Sequence, residues 1–176
     1  MDTSIYRAIS HFARRTGWLH PPVIAFAKYG IALFGVALLV GWWLGRQRPT
    51  TAAIAAVACT AVAVFVALAA AQLVGHIFDR ARPYDAIAGA VAGGLWVVDR
   101  RLGRVVVGLA VAMAFARVYV GAHYPGDVVA GLVLGAVIAA AVNRLAGRIV
   151  AQLLDRLART ALGPLIRSGG AEAERA

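Results

Sequence analysis

Only one of the 176 residues is a cysteine, Cys59, and it lies in the middle of an apolar run. A lone thiol excludes an intrachain disulfide, a cysteine-built zinc site and a CxxC redox motif, so Cys59 reads as a packed core side chain. Acidic side chains are scarce as well: 8 against 18 lysines and arginines, a formal net charge of +10. That balance can mark a nucleic-acid binder, but the arginines come in short clusters between apolar runs and form no stripe. They read as membrane-topology determinants, and no nucleic-acid partner is expected. The first residues lack the apolar core and small-residue cleavage site of a signal peptide. His11 and His20 have no acidic or cysteine partner at ligand spacing and read as solvated or interfacial.

What the chain has in excess is apolar residues, 61% of the total. Soluble domains carry about 45–50%, so the composition specifies a multi-span membrane protein, an all-α helix bundle in one domain over 1–167. Residues 1–17 place Ile5, Ile9 and Phe12 at helical spacing with Arg7, Arg14 and Arg15 on other faces, the pattern of a helix lying at the interface. The first span is expected over 23–45, with Lys28 snorkelling near its start and Trp42 and Trp43 at the far interface. A second, 51–78, runs 28 residues without a formal charge. The apolar stretch 86–98 is only 13 residues, bounded by Asp85 and by Asp99-Arg100-Arg101. As a helix it covers about 20 Å, short of a hydrocarbon core of about 30 Å, which leaves a short third span or a re-entrant helix. Tyr84 at the interface and snorkelling Arg100 and Arg101 favour spanning. The fourth and fifth spans are expected over 103–122 and 128–142. Beyond them Leu145, Ile149, Leu153 and Leu157 repeat at i, i+4, which reads as a second amphipathic helix or an extension, with Gly147 as the natural break. Residues 168–176 read as a disordered tail.

One stretch carries the chemistry: Ala116-Arg117-Val118-Tyr119-Val120-Gly121-Ala122-His123-Tyr124-Pro125-Gly126-Asp127. An arginine at a bilayer's centre costs about 2.5 kcal/mol or more, so arginines in such segments usually face a bundle interior or cavity and serve a function. Six residues on comes His123 and four after that Asp127, with Pro125 and Gly126 breaking the helix between them. A histidine with an orienting carboxylate can act as nucleophile or base, and an arginine fork holds a phosphoryl group. This spacing, Arg-x5-His-x3-Asp, resembles the third signature of the type 2 phosphatidate phosphatase superfamily. Arg117, His123 and Asp127 occupy its fixed positions, and Ala116 stands where serine is usual. Arg82-Pro83 matches the end of the first signature, Lys-x6-Arg-Pro, but the lysine position is Gly75, beside His76. The second signature, Pro-Ser-Gly/Asp-His, occurs nowhere, and Arg-Pro runs straight into the short apolar stretch.

Within that superfamily the chain is most similar to bacterial undecaprenyl-diphosphatases of the bacitracin-resistance type. The resemblance implies dephosphorylation of a lipid phosphate in the bilayer, most simply undecaprenyl diphosphate, without a metal or other cofactor. His123 is then the nucleophile that forms a phosphohistidine. Asp127 orients it, Arg117 and Arg82 bind the phosphate oxygens, and His76 and Arg80 are possible auxiliaries. The alternative is a lipid-phosphate binder on the same scaffold that lacks catalysis for want of the second-signature histidine. Charge asymmetry between the loops puts the C-terminus in the cytoplasm and the site at the extracytoplasmic face of a bacterial plasma membrane. The sequence leaves the oligomeric state open.

Overall fold

The structure, a computed structural model, describes residues 2–48, 50–78 and 83–160. Among them there are seven α-helices and no strand: α1 (Asp2–Arg15), α2 (His20–Tyr29), α3 (Ile31–Arg46), α4 (Ala52–Phe78), α5 (Pro83–Val98), α6 (Arg100–Tyr119) and α7 (Pro125–Leu157). The expected all-α membrane bundle is what forms. By length and composition α4, α6 and α7 can each cross a bilayer, and α2 with α3 is long and apolar enough for a fourth crossing if the bent pair is one span.

The side chains are sorted in the sense opposite to a soluble protein. Phe65 and Leu73 of α4, Val105 and Val111 of α6, and Val129, Val133 and Val137 of α7 point outward and are exposed. The interior is built largely of small residues, with Ala63, Ala67, Ala86, Ala90 and Ala139 fully buried and Cys59 packed beside them. Small residues inside and branched ones outside suit helices that pack by close approach in a lipid solvent.

The short helix α5 is the centre of the bundle, in contact with α4, α6 and α7. Its Ala86, Ala88, Ala90, Val91 and Leu95 are all buried. Glycines set how near α7 comes: a methyl group on Gly89 would strike the Leu132 backbone, and one on Gly135 the Ala86 carbonyl. Asp85, in the first turn of α5, stands at the end of the bundle where α6 finishes and α7 begins. Asp99, just past its last residue, stands at the opposite end beside Arg48. α5 therefore runs from one end of the bundle to the other, and at 16 residues it is shorter than the helices that can each cross a bilayer.

Two expectations are corrected. The first span is not one helix: α3 turns by 52° from the preceding segment, at Gly30. A Cβ at Gly30 would lie 2.5 Å from both Met113 Cε and the Phe26 carbonyl oxygen, so the bend accommodates a side chain of α6. The amphipathic stretch after 142 is not a separate interfacial helix, and Gly147 breaks nothing. α7 continues unbroken for 33 residues. A lone glycine costs a helix only about 1 kcal/mol relative to alanine, too little to end one with strong formers on either side. The extension lies along the start of α4, where the Thr51 hydroxyl donates to the Ala151 carbonyl at 3.4 Å. At the other terminus α1 forms as expected. The tail 168–176 lies outside the described residues.

Candidate active site

The spacing of the Arg-x5-His-x3-Asp stretch follows from how one helix ends and the next starts. Arg117 lies in the last turn of α6 and is buried. Gly121 then adopts φ +75°, the left-handed conformation that L side chains rarely take, and the chain closes on the helix end. The Gly121 amide donates to the Val118 carbonyl at 3.0 Å and the Ala122 amide to the Arg117 carbonyl at 3.1 Å. His123 occupies the resulting turn. Tyr124 is extended and caps α7, whose first position is Pro125. A proline there loses no helical hydrogen bond, because the first amides of a helix have no partner within it. Asp127 falls in the first turn of α7, where the helix dipole favours a carboxylate.

Arg117 and His123 converge on a residue the sequence offered only as a boundary, Asp85. The Asp85 side chain is 2% exposed; its Oδ1 lies 3.7 Å from Arg117 Nε and its Oδ2 lies 3.7 Å from His123 Nε2. Room for the carboxylate comes from Gly131 on α7, where a Cβ would sit 2.7 Å from the Asp85 Cβ. Of the expected site residues, then, Arg117, His123 and Asp127 are gathered at one end of the bundle. Arg80 and Arg82 lie outside the described residues. His76 belongs to the last turns of α4, and its side chain also lies outside them.

The N-terminal segment is docked at the same end. The Tyr6 ring lies 5.1 Å from the Tyr124 ring. The Tyr119 hydroxyl bonds the Thr16 hydroxyl at 2.8 Å and donates to the Thr16 carbonyl at 3.0 Å. His20 meets Tyr119 edge-on at 5.3 Å and is otherwise exposed, as an interfacial histidine should be.

One turn along α5 from Asp85 an apolar groove begins between α5, α6 and α7, with a cavity volume of about 430 Å³. Gly89, Gly93, Trp96, Val111, Val133 and Ala140 line it. A buried cation and a partly buried imidazole about one helical turn from an apolar groove can hold an anionic headgroup and the start of a hydrocarbon chain. Among the described residues no cluster of three His, Cys, Asp or Glu side chains is arranged to hold a metal ion.

The chain is 26% identical over 155 residues to undecaprenyl-diphosphatase BcrC of Bacillus subtilis (strain 168), covering 78% of this chain and 80% of that protein. No solved structure matches it. The PAP2 superfamily profile matches residues 60–150, which take in α5, α6, the His123 turn and most of α7. With its signature residues on that turn and more than half its length under the profile, the chain belongs to the PAP2 superfamily.

Proposed function

We propose that this protein is a membrane lipid-phosphate phosphatase that removes the terminal phosphate of undecaprenyl diphosphate. The observation that carries the reading is the convergence of Arg117 and His123 on one buried carboxylate at the head of an apolar groove. Membership of the PAP2 superfamily and the likeness to a protein named undecaprenyl-diphosphatase support the reaction and the lipid.

In this reading an imidazole nitrogen of His123 attacks the terminal phosphorus, the bond from phosphorus to the bridging oxygen breaks, and the lipid monophosphate departs. Water then attacks the phosphohistidine, its P–N bond breaks, and inorganic phosphate leaves. Asp127, four residues along, stabilises the positive charge that the ring takes on. Arg117, with Arg82, binds the phosphate oxygens and offsets charge in the transition state. A diphosphate suits such a site because its leaving group is a phosphate, far less basic than the alkoxide a phosphate monoester must expel. A positioned general acid typically contributes about 10²–10⁴-fold, and a diphosphate needs that help least.

Charge supports the orientation. Arg46, Arg48, Arg100, Arg101 and Arg104 lie at the end of the bundle opposite His123, and the arginine-rich end of α7 lies there too. The positive-inside rule turns that end to the cytoplasm of a bacterial plasma membrane and His123 to the outside.

Phosphate release by purified protein in detergent tests the reading. Undecaprenyl diphosphate should be hydrolysed in preference to phosphatidate, with or without a chelator, and His123→Ala should abolish release. Preference for phosphatidate overturns the substrate. Release no greater than that of His123→Ala overturns catalysis and leaves a lipid-phosphate binder.

A further inference from the structure

We propose that Asp85 is the positioning residue of this phosphate site, one carboxylate that aims both Arg117 and His123. The inference rests on the phosphatase reading above, but part of its test does not need turnover.

Three observations lead to it. The first is which atom of Arg117 the carboxylate faces. Asp85 Oδ1 approaches Nε, the inner nitrogen of the guanidinium. A brace there acts on the plane of the group through its inner edge, and the outer edge of a guanidinium is the one that matches a phosphate with two parallel hydrogen bonds. The second is that Oδ2 of the same carboxylate faces His123 Nε2, so the distance between cation and imidazole is set by a single rigid group. The third is the rigidity of its mounting. Asp85 sits in the first turn of α5, and α7 presses on that turn through Gly131 and Gly135, where added methyl groups would collide with Asp85 and Ala86. A functional group on a helix locked by backbone contact is held more closely than one on a loop.

Stability is a poor alternative explanation. Both side chains are nearly buried. Desolvating a carboxylate and a guanidinium costs several kcal/mol per ion, repaid only with excellent geometry. A charge pair in so costly a place suits a reaction that needs a guanidinium and an imidazole at fixed separation. Misplacing a catalytic group by about 1 Å can cost about 10²-fold in rate.

The experiment is a double-mutant cycle of Asp85→Asn and Arg117→Lys, read as kcat/KM on undecaprenyl diphosphate and, separately, as vanadate affinity. Asp85→Asn should lower kcat/KM by about 10²-fold. The double variant should be within about threefold of the worse single one, because a brace has nothing left to aim once the fork is gone. Losses that multiply, or an Asp85→Asn protein within threefold of wild type, overturn the proposal. Gly131→Ala guards against an Asp85→Asn protein that does not fold. It leaves every charged group in place and pushes only on the Asp85 Cβ, so it too should lose activity and vanadate affinity; wild-type values in Gly131→Ala count against the brace. If wild type releases no phosphate, the phosphatase reading fails, and vanadate affinity still decides the positioning claim. Affinity weakened equally by Asp85→Asn and Arg117→Lys supports it, and affinity indifferent to Asp85→Asn overturns it.

Discussion

Two aspartates bracket the same short helix, and they do opposite work. Asp99, at the end of the bundle away from His123, is partly exposed and fully occupied in local structure. Its Oδ1 accepts from the Arg101 and Leu102 amides at 2.8 and 2.9 Å, capping α6, and its Oδ2 meets Arg48 at 2.8 Å. Asp85, at the other end, is buried, with Arg117 and His123 each 3.7 Å away. The better-made salt bridge is the one in water, where such pairs are worth about 0–1 kcal/mol and cost little to form. The other pair lies where charge is expensive. A charge kept in a costly place beside a histidine points to a site, and a charge satisfied in a cheap place points to architecture.

The sharpest way to break this comparison is to remove each carboxylate in turn. Asp85→Ala should lower phosphate release by about 10²-fold or more. It should also destabilise the protein by about 3–5 kcal/mol, because it removes one partner of a buried ion pair. Asp99→Ala should lower the melting temperature slightly and leave the specific activity of folded protein unchanged. Equal losses of activity in the two variants would erase the distinction between the ends.

Arg117 sharpens it next. Hydrogen bonds to charged groups are worth about 1.5–3 kcal/mol, so Arg117→Lys, which loses the fork, should weaken vanadate binding by about tenfold or more, close to Arg117→Ala. A lysine variant that binds vanadate as wild type does would mean that Arg117 contributes charge alone.

The groove gives a smaller effect of a different kind. Ala140→Leu should fill part of the space between α5, α6 and α7. KM for the long-chain diphosphate should then rise several-fold, while hydrolysis of a short-chain analogue stays as it was. A change shared by both substrates would show that the groove does not take the chain.

The smallest effect is the pH response of the far end. The Asp99 carboxyl is held below the usual aspartate range, first by the Leu102 amide, with the Arg101 amide and the Arg48 and Arg101 charges adding to it. A depressed carboxylate stabilises the fold above its ordinary titration range, and that contribution disappears as pH falls through its folded value. The melting-temperature gap between wild type and Asp99→Asn should therefore be full at neutral pH and close in acid. A gap that persists in acid would assign it to packing.

Sequence and structure part company at instructive places. Hydropathy carried the bundle, because in lipid a helix must satisfy its own backbone and most of the apolar runs have the required length. The Arg-x5-His-x3-Asp spacing carried most of the site, because a helix end, one left-handed glycine and a helix start are local features. Asp85 was legible only as the edge of an apolar run. In the sequence it looks the same as Asp99, since an acid at a span boundary can face water or turn inward, and only the approach of α7 through Gly131 decides which. The bend at Gly30 was hidden for the same reason: it depends on Met113, more than 80 residues away in sequence. Gly147 misled in the other direction, since glycine near the end of an apolar run resembles a stop signal when nothing else marks the helix as continuous.

The central claim is that His123, held beside Asp85, becomes phosphorylated. Its most direct test is to incubate the protein with undecaprenyl diphosphate labelled in the terminal phosphate, quench in alkali, which phosphohistidine survives, and locate the label. The account predicts a base-stable, acid-labile phosphate on His123 in wild type and none in His123→Ala. Phosphate released by His123→Ala at the wild-type rate, with no label on the protein, would contradict it.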